Sequence, residues 1–341
     1  MNTNKKIKKE AKKQVKKAYK RVRASKYFPL IVGILILAFA IYILIPEKET
    51  KPTVPEIENG VIHYELPKSN YDEEIIRHKA YTLGYNENTE QPNWVAYTIS
   101  KDNLLKPVTE RDGEFREDYS VTTLSASLDD YRSSGYDRGH LAPAADFKWD
   151  KEAMNESFYL SNMSPQDPEF NRGIWADLES AVRNNAYDSD FLYVTTGPVF
   201  YKNKPIKTIG KNKVAVPHAY YKALLVYTDD EKKAIGFLLP NEGSDKPLAS
   251  YTMSIDELED ITGLDFFYLL DDDIENELEK KYNPRKWTYS KFYGPSVDEA
   301  NNTAEVYEKP KSSNNTIKFR ATAFALKRIK RQIRQALHLN K

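Results

Sequence analysis

The chain has 341 residues, 40% apolar and 12% aromatic, with 24 Tyr. That is enough for one sizeable domain plus appendages, and it excludes an intrinsically disordered protein. There is no cysteine, which excludes a disulfide framework, thiolate zinc sites and a cysteine nucleophile. The net charge of +1 averages three regions: 1–26 hold 12 Lys/Arg and one Glu, 319–341 hold 7 Lys/Arg and no acid, and 27–318 hold 32 basic against 49 acidic residues, a net −17. The acidic middle counts against a broadly basic nucleic-acid face.

The 19 residues 27–45 carry no charge. As a helix they span roughly 28 Å, close to the ~30 Å hydrocarbon core of a bilayer. Tyr27, Phe28 and Tyr42 stand near the two ends, where interfacial aromatics are found, and Pro29 falls in the first turn. The sequence therefore predicts a transmembrane helix over 27–45. A cleaved signal peptide is the competing reading, but the apolar run is long for one and no A-x-A site follows. The basic flank before the span predicts a cytoplasmic segment 1–26, with everything after it extracytoplasmic, in the cell envelope.

Pro46, Pro52 and Pro55 among charges make 46–59 a linker. A globular domain is expected over 60–294. Strands are expected at 95–99, at 191–195 (ended by Gly197-Pro198), at 223–227 and at 234–239. Apolar residues at helical spacing (Ile174, Leu178, Ala181, Val182) predict a helix over 171–184. Ser254 and Glu257 fit a capping box that starts a second helix, and Gly263 is placed to end it. Strands with a few interspersed helices predict an α+β fold, not a wound parallel sheet. Residues 295–317 are polar and linker-like. The tail, 318–341, is basic and apolar at roughly helical spacing, which suits an amphipathic helix on a membrane surface, on nucleic acid or packed on the domain.

The stretches that carry chemistry are Gly135 to Pro143 (GYDRGHLAP), Ser161 to Gln166 (SNMSPQ) and Phe170 to Glu179 (FNRGIWADLE). Hydrolysing a phosphodiester needs a base for water, a Lewis acid for the phosphoryl oxygens and cations for the developing charge. His140 is a base candidate, since imidazole is the side chain whose ordinary pKa suits that task near neutrality. Asn171, Trp175 and Glu179 lie at i, i+4 and i+8, on one face of a single helix. An amide oxygen and a carboxylate are hard donors suited to Mg²⁺, Mn²⁺ or Ca²⁺. Each piece alone has a bland reading: His140 structural, Asn171 a helix start, Glu179 solvated, Asp137 and Arg138 a local ion pair.

Together they closely resemble the DNA/RNA non-specific endonuclease family, the ββα-metal (His-Me finger) nucleases of the Serratia-nuclease and endonuclease G type. The resemblance rests on the D-R-G-H of Asp137–His140, the N-x-x-P-Q of Asn162–Gln166 and the N-x-x-x-W-x-x-L-E of Asn171–Glu179. It extends in order over about 190 residues, including Trp94 to Tyr97, Thr196 to Phe200, Val216-Pro217 with Tyr220 to Lys222, and Asp256 to Glu259 with Thr262 to Leu264. The first 60 and last 45 or so residues lie outside it.

The resemblance implies a ββα-metal fold with a central antiparallel sheet and flanking helices, acting as a sugar-non-specific endonuclease on DNA and RNA. It implies His140 as general base, Asn171 as the direct protein ligand of Mg²⁺ (Mn²⁺ or Ca²⁺ as substitutes), and Glu179 as holder of the waters around the metal. Asn162 would orient the site. Arg138 and an upstream arginine, Arg111 in preference to Arg116, would neutralise phosphate charge. Relatives of this kind are often dimers, so a homodimer is among the implied assemblies. His63, His78, His218 and His338 match no catalytic position and are given structural readings. Two other functions stay open: a phosphodiesterase on small nucleotides, and a non-catalytic envelope protein that captures nucleic acid. The sequence has no H-E-x-x-H, no G-x-x-x-x-G-K-[ST] and no G-x-S-x-G to support another enzyme class.

Overall fold

Residues 57–58 and 61–303 are described by a computed structural model, and all of them belong to one unit, Lys51–Phe324. The expected membrane span 27–45, the basic segment 1–26, nearly all of the linker 46–59 and the tail 318–341 lie outside the described residues. Among the described residues no helix is long and apolar enough to cross a membrane.

In chain order the strands are β1 (Ile57–Glu58), β2 (Val61–Ile62), β3 (Glu74–Arg77), β4 (Tyr81–Asn86), β5 (Gln91–Ser100), β6 (Asp137–His140) and β7 (Met163–Gln166). Then come β8 (Phe191–Val199), β9 (Lys207–Ile209), β10 (Val214–Val216), β11 (Ala219–Tyr227), β12 (Lys232–Pro240) and β13 (Thr252–Met253). The principal helices are α1 (Pro168–Arg172), α2 (Ile174–Asp188), α3 (Ile255–Thr262), α4 (Asp272–Lys280) and α5 (Val297–Thr303). Seven strands form the central sheet in the order β13-β12-β11-β8-β5-β4-β3. Every neighbour pair in it is antiparallel. The α+β expectation, with its central antiparallel sheet, therefore holds.

Both faces of this sheet are covered, which explains why β11 (AYYKALLVY) is buried almost throughout. Side chains alternate across a strand. Tyr220, Leu224 and Val226 join a core with Trp175 and Leu178 of α2. Tyr221, Ala223 and Leu225 join a second core with Ile255 and Leu258 of α3 and with Phe266 and Phe267. Helices α2 and α3 thus lie on opposite faces.

Three local expectations change. Strand β8 does not stop at Gly197-Pro198 but runs on to Val199. Its pairing with β5 ends at Thr196, so Pro198 falls where no ladder bond on that side is required. The expected helix 171–184 is two helices, broken at Gly173, whose φ −105° and ψ −114° are non-helical. A Cβ there would sit 2.4 Å from the carbonyl oxygen of Glu169. Asn171 therefore lies on α1, while Trp175 and Glu179 share α2. Finally, α5 forms inside the stretch expected to be a linker, started by reciprocal Ser296–Glu299 hydrogen bonds. The Ser254–Glu257 capping box and the left-handed stop at Gly263 (φ 69°) are as expected.

Candidate active site

Strands β6 and β7 form a separate antiparallel hairpin, with His140 opposite Met163 and Gly139 opposite Ser164. At Gly139 a Cβ would lie 2.1 Å from the Gln166 side chain, which would have to move to admit it. The hairpin is followed directly by α1 and α2, which gives a ββα unit. Trp175 ties that unit together by donating its Nε1–H to the carbonyl of His140 at 3.3 Å.

His140 ends β6 and is 7% exposed. Its ring completes a three-ring cluster with Phe158, edge-on at 5.0 Å, and Phe115 at 5.6 Å, which are themselves 5.1 Å apart. Nε2 is enclosed without a hydrogen-bond partner among the described residues. Burial, reinforced by the Arg111 charge, pushes the imidazole down to about 3, so the ring is neutral at ordinary pH. Each flanking aromatic ring also carries an arginine: Arg138 stands 4.4 Å from the Phe115 ring centre and Arg111 5.4 Å from that of Phe158. Both guanidinium groups belong to exposed residues. Arg116 instead stacks on Tyr159 at 4.1 Å and donates to the carbonyl of Glu114. The structure thus gathers Arg111, Arg138 and His140 and leaves Arg116 on a different ring.

Asn162 is fully buried. Its Oδ1 accepts from Ala142 N at 3.0 Å, and its Nδ2 donates to the carbonyls of Ala142 and Ser157 at 2.9 Å each. Committed to backbone in this way, the amide holds the turn that leaves His140. Asn171 donates Nδ2 to Asp137 Oδ2 at 2.9 Å. Arg172 grips the same carboxylate through two bonds, of 2.8 and 2.7 Å. Burial of Asp137 is outweighed by these bonds, which hold its carboxyl below the usual range. An ionised carboxylate only accepts, so it fixes the NH₂ end of the Asn171 amide and leaves Oδ1 as the end available to a donor or cation. No direct hydrogen bond joins Asn171 to His140 among the described residues; the link runs through Asp137, three residues earlier on β6.

Glu179 sits one turn after Trp175. Burial pushes its carboxyl up, opposed by the positive charges of Lys222, Arg183 and Arg111 and assisted by Asp146. Lys222 is fully buried on β11, and burial pushes its ammonium down against the pull of Glu179 and Asp146. Its Nζ lies 4.5 Å from the Trp175 ring centre and donates to the carbonyl of Leu141 and to Thr196 Oγ1, both at 3.3 Å. Arg183 pairs with buried Asp146 at 2.8 Å. In the sequence Lys222 enters the family resemblance without a role, and Asp146 and Arg183 do not enter it. The readable signal for Lys222 was a lysine inside an otherwise apolar and aromatic strand. The remaining histidines within the described residues have structural partners: His78 pairs with buried Asp118 at 2.9 Å, Tyr201 N donates to His218 Nδ1 at 3.1 Å, and His63 meets Glu65 at 2.8 Å.

The ensemble offers a neutral imidazole, two exposed guanidinium groups and two hard oxygen donors around one ββα unit. The family model described as DNA/RNA non-specific endonuclease matches residues 58–273. Nuclease C1 of Cunninghamella echinulata var. echinulata is 37% identical over 212 residues, covering 58% of this chain and 84% of that protein. Mitochondrial endonuclease G of Homo sapiens is 34% identical over 200 residues, 55% of this chain and 67% of that one. Among solved structures, one of the EndoG/EndoGI complex aligns with a TM-score of 0.56 and 31% identity, covering 58% of this chain and 87% of the matched chain. On the strength of the match across 58–273, the chain belongs to the DNA/RNA non-specific endonuclease family.

Proposed function

We propose that this protein hydrolyses phosphodiester bonds of DNA and RNA without strong sequence specificity, with His140 as general base beside one Mg²⁺-type ion. Membership of the family makes it a nuclease of the hydrolase class, and such nucleases work with a divalent cation. The observation that carries the residue assignment is the neutral, enclosed imidazole of His140 flanked by two arginine-bearing aromatic rings.

The site residues fit a hard cation. Asn171 presents Oδ1 once its NH₂ is committed to Asp137, and Glu179 adds a carboxylate; both are oxygen donors of the kind Mg²⁺ takes. When bound, the ion supplies Lewis acidity to the phosphoryl oxygens and stabilises the departing oxygen. The chain does the rest. His140 takes a proton from the attacking water at Nδ1, the ring nitrogen other than the enclosed Nε2. A neutral ring can accept it, and the developing negative charge nearby offsets the burial and the Arg111 field that otherwise hold the ring unprotonated. Arg138 and Arg111, braced on Phe115 and Phe158, face the negative charge on the phosphoryl oxygens. Asn162 and Lys222 keep the His140–Ala142 backbone in place.

The uncharged run 27–45 and its basic flank support a single-pass anchor, with the N-terminus cytoplasmic and the nuclease domain in the envelope. Nicking of supercoiled plasmid by the full chain, with Mg²⁺ and then with excess EDTA, tests the activity. We expect cleavage with Mg²⁺, none with EDTA, and slow turnover of bis-p-nitrophenyl phosphate. EDTA-insensitive nicking, or a preference for the small ester, would overturn the reading.

A further inference from the structure

On the sheet face away from α2, helices α3 and α4 bring three carboxylates together. Asp256 and Glu259, one turn apart on α3, and Glu279 on α4 each contribute one oxygen, and these oxygens all lie within 4.8 Å of one another. Glu279 is 8% exposed, and its Oε1 is enclosed with no hydrogen-bond partner among the described residues. Glu259 uses Oε1 to accept from Phe266 N at 2.7 Å, and its second oxygen is not bound by any described donor. No Lys or Arg pairs with any of the three among the described residues. Lys68 pairs with Asp265 at 3.3 Å instead. Burial, then repulsion from Glu259, Glu275, Asp256 and Asp265, pushes Glu279 up to about 9. Burial likewise pushes Glu259 up to about 7, opposed by its backbone hydrogen bond and assisted by Asp265 and Asp256.

A buried carboxylate with acidic neighbours and no donor is costly unless a cation or a proton compensates it. We infer that Asp256, Glu259 and Glu279 form a second divalent-cation site, of the Ca²⁺ class, which clasps α3 to α4 and is separate from the site on the ββα unit. The separation follows from the sheet: α3 packs on the Tyr221–Ala223–Leu225 face, Trp175 and Lys222 on the other. The ion class follows from the donors: a set of carboxylate oxygens suits Ca²⁺ with its flexible coordination, whereas Mg²⁺ demands near-ideal octahedral geometry and keeps most of its waters. Three carboxylates leave positions for water, as Ca²⁺ with its six to eight ligands requires. The ion would be structural, since it lies away from His140 and joins two helices that otherwise repel across their acidic faces.

Equilibrium dialysis of ⁴⁵Ca²⁺ against the full chain carrying Asn171→Ala separates this site from the proposed catalytic one. We expect one Ca²⁺ bound per chain, with a raised unfolding temperature. Adding Glu279→Gln should weaken binding at least tenfold. Asp256→Asn, at a partly exposed position, should do the same and serves if the buried substitution fails to fold. Failure to bind Ca²⁺ at millimolar concentration, or binding unchanged by Asp256→Asn, would overturn the inference. So would a Glu279→Gln chain that is more stable than its parent with Ca²⁺ present, because the cluster would then hold a proton in place of a metal. None of these outcomes depends on nuclease activity.

Discussion

His140 combines two demands that conflict in stability terms. Burial against Phe115 and Phe158 keeps it neutral, and Arg111 adds to the effect. Folded, the ring titrates at about 3; unfolded, it returns to ~6.5. Between those values the unfolded chain holds the proton and the folded chain does not, so stability falls as pH drops through that window. At ~1.4 kcal/mol per pH unit the full effect amounts to several kcal/mol. His140→Gln lacks the titrating group. Its urea midpoint should fall less between pH 6.5 and pH 4 than that of the parent; parallel losses would show that the ring is not held neutral. The motif made His140 legible in the sequence, together with its neighbours Asp137 and Arg138. Its true surroundings were not legible, because Phe115 and Phe158 come from segments 25 and 18 residues away and meet it only through backbone bonds such as Leu160 N to Arg116 O, at 2.8 Å.

At the scale of elements, the ββα unit is held by joints that a helical-periodicity reading blurs. The spacing of Asn171, Trp175 and Glu179 suggested one continuous face. The break at Gly173 swings Asn171 onto its own short helix, where Asp137 of β6 holds it. Periodicity could not show this, since one glycine in an apolar pattern is compatible with a helix; the backbone angles and the nearby Glu169 carbonyl decide it. Gly173→Ala should cost ~1–3 kcal/mol through overpacking. It should also raise the Mg²⁺ concentration needed for half-maximal activity by displacing Asn171. A metal titration with unchanged midpoint would argue against Asn171 as the ligand. Lys222 joins β11 to the same unit. Replacing it by Met removes the hydrogen bond to Leu141 O and leaves Glu179 and Asp146 with less compensating charge. Loss of one member of such a buried cluster costs about 3–5 kcal/mol, measurable by urea denaturation; a change under ~1 kcal/mol would mean the cluster is solvated. The acidic apposition of α3 and α4 was likewise invisible in the sequence, where each set of charges reads as a solvated helix face.

For the whole molecule, charge is the feature that nuclease action must reconcile. Residues 27–318 carry a net −17, while 319–341 carry seven Lys/Arg and no acid. Affinity for duplex DNA draws on phosphate neutralisation, and each contact adds to the salt dependence. With Arg111 and Arg138 as the exposed cations at His140, the domain alone should bind weakly and with a shallow salt slope, and the basic tail should supply the remainder. Deleting 318–341 is expected to weaken DNA binding and flatten the salt slope while leaving kcat within a few-fold. An unchanged slope would mean that the tail makes no phosphate contacts. The acidic composition was plain in the sequence; how cations gather beside His140 required the fold.

The proposed role of His140, activation of water beside a divalent ion, is open to single-turnover cleavage of plasmid DNA by the full chain, with and without His140→Ala and at saturating Mg²⁺. The variant should cleave at least ~10²-fold more slowly, with circular dichroism and DNA affinity preserved. A His140→Ala chain that folds, binds and still cleaves within a few-fold of the parent rate would contradict it.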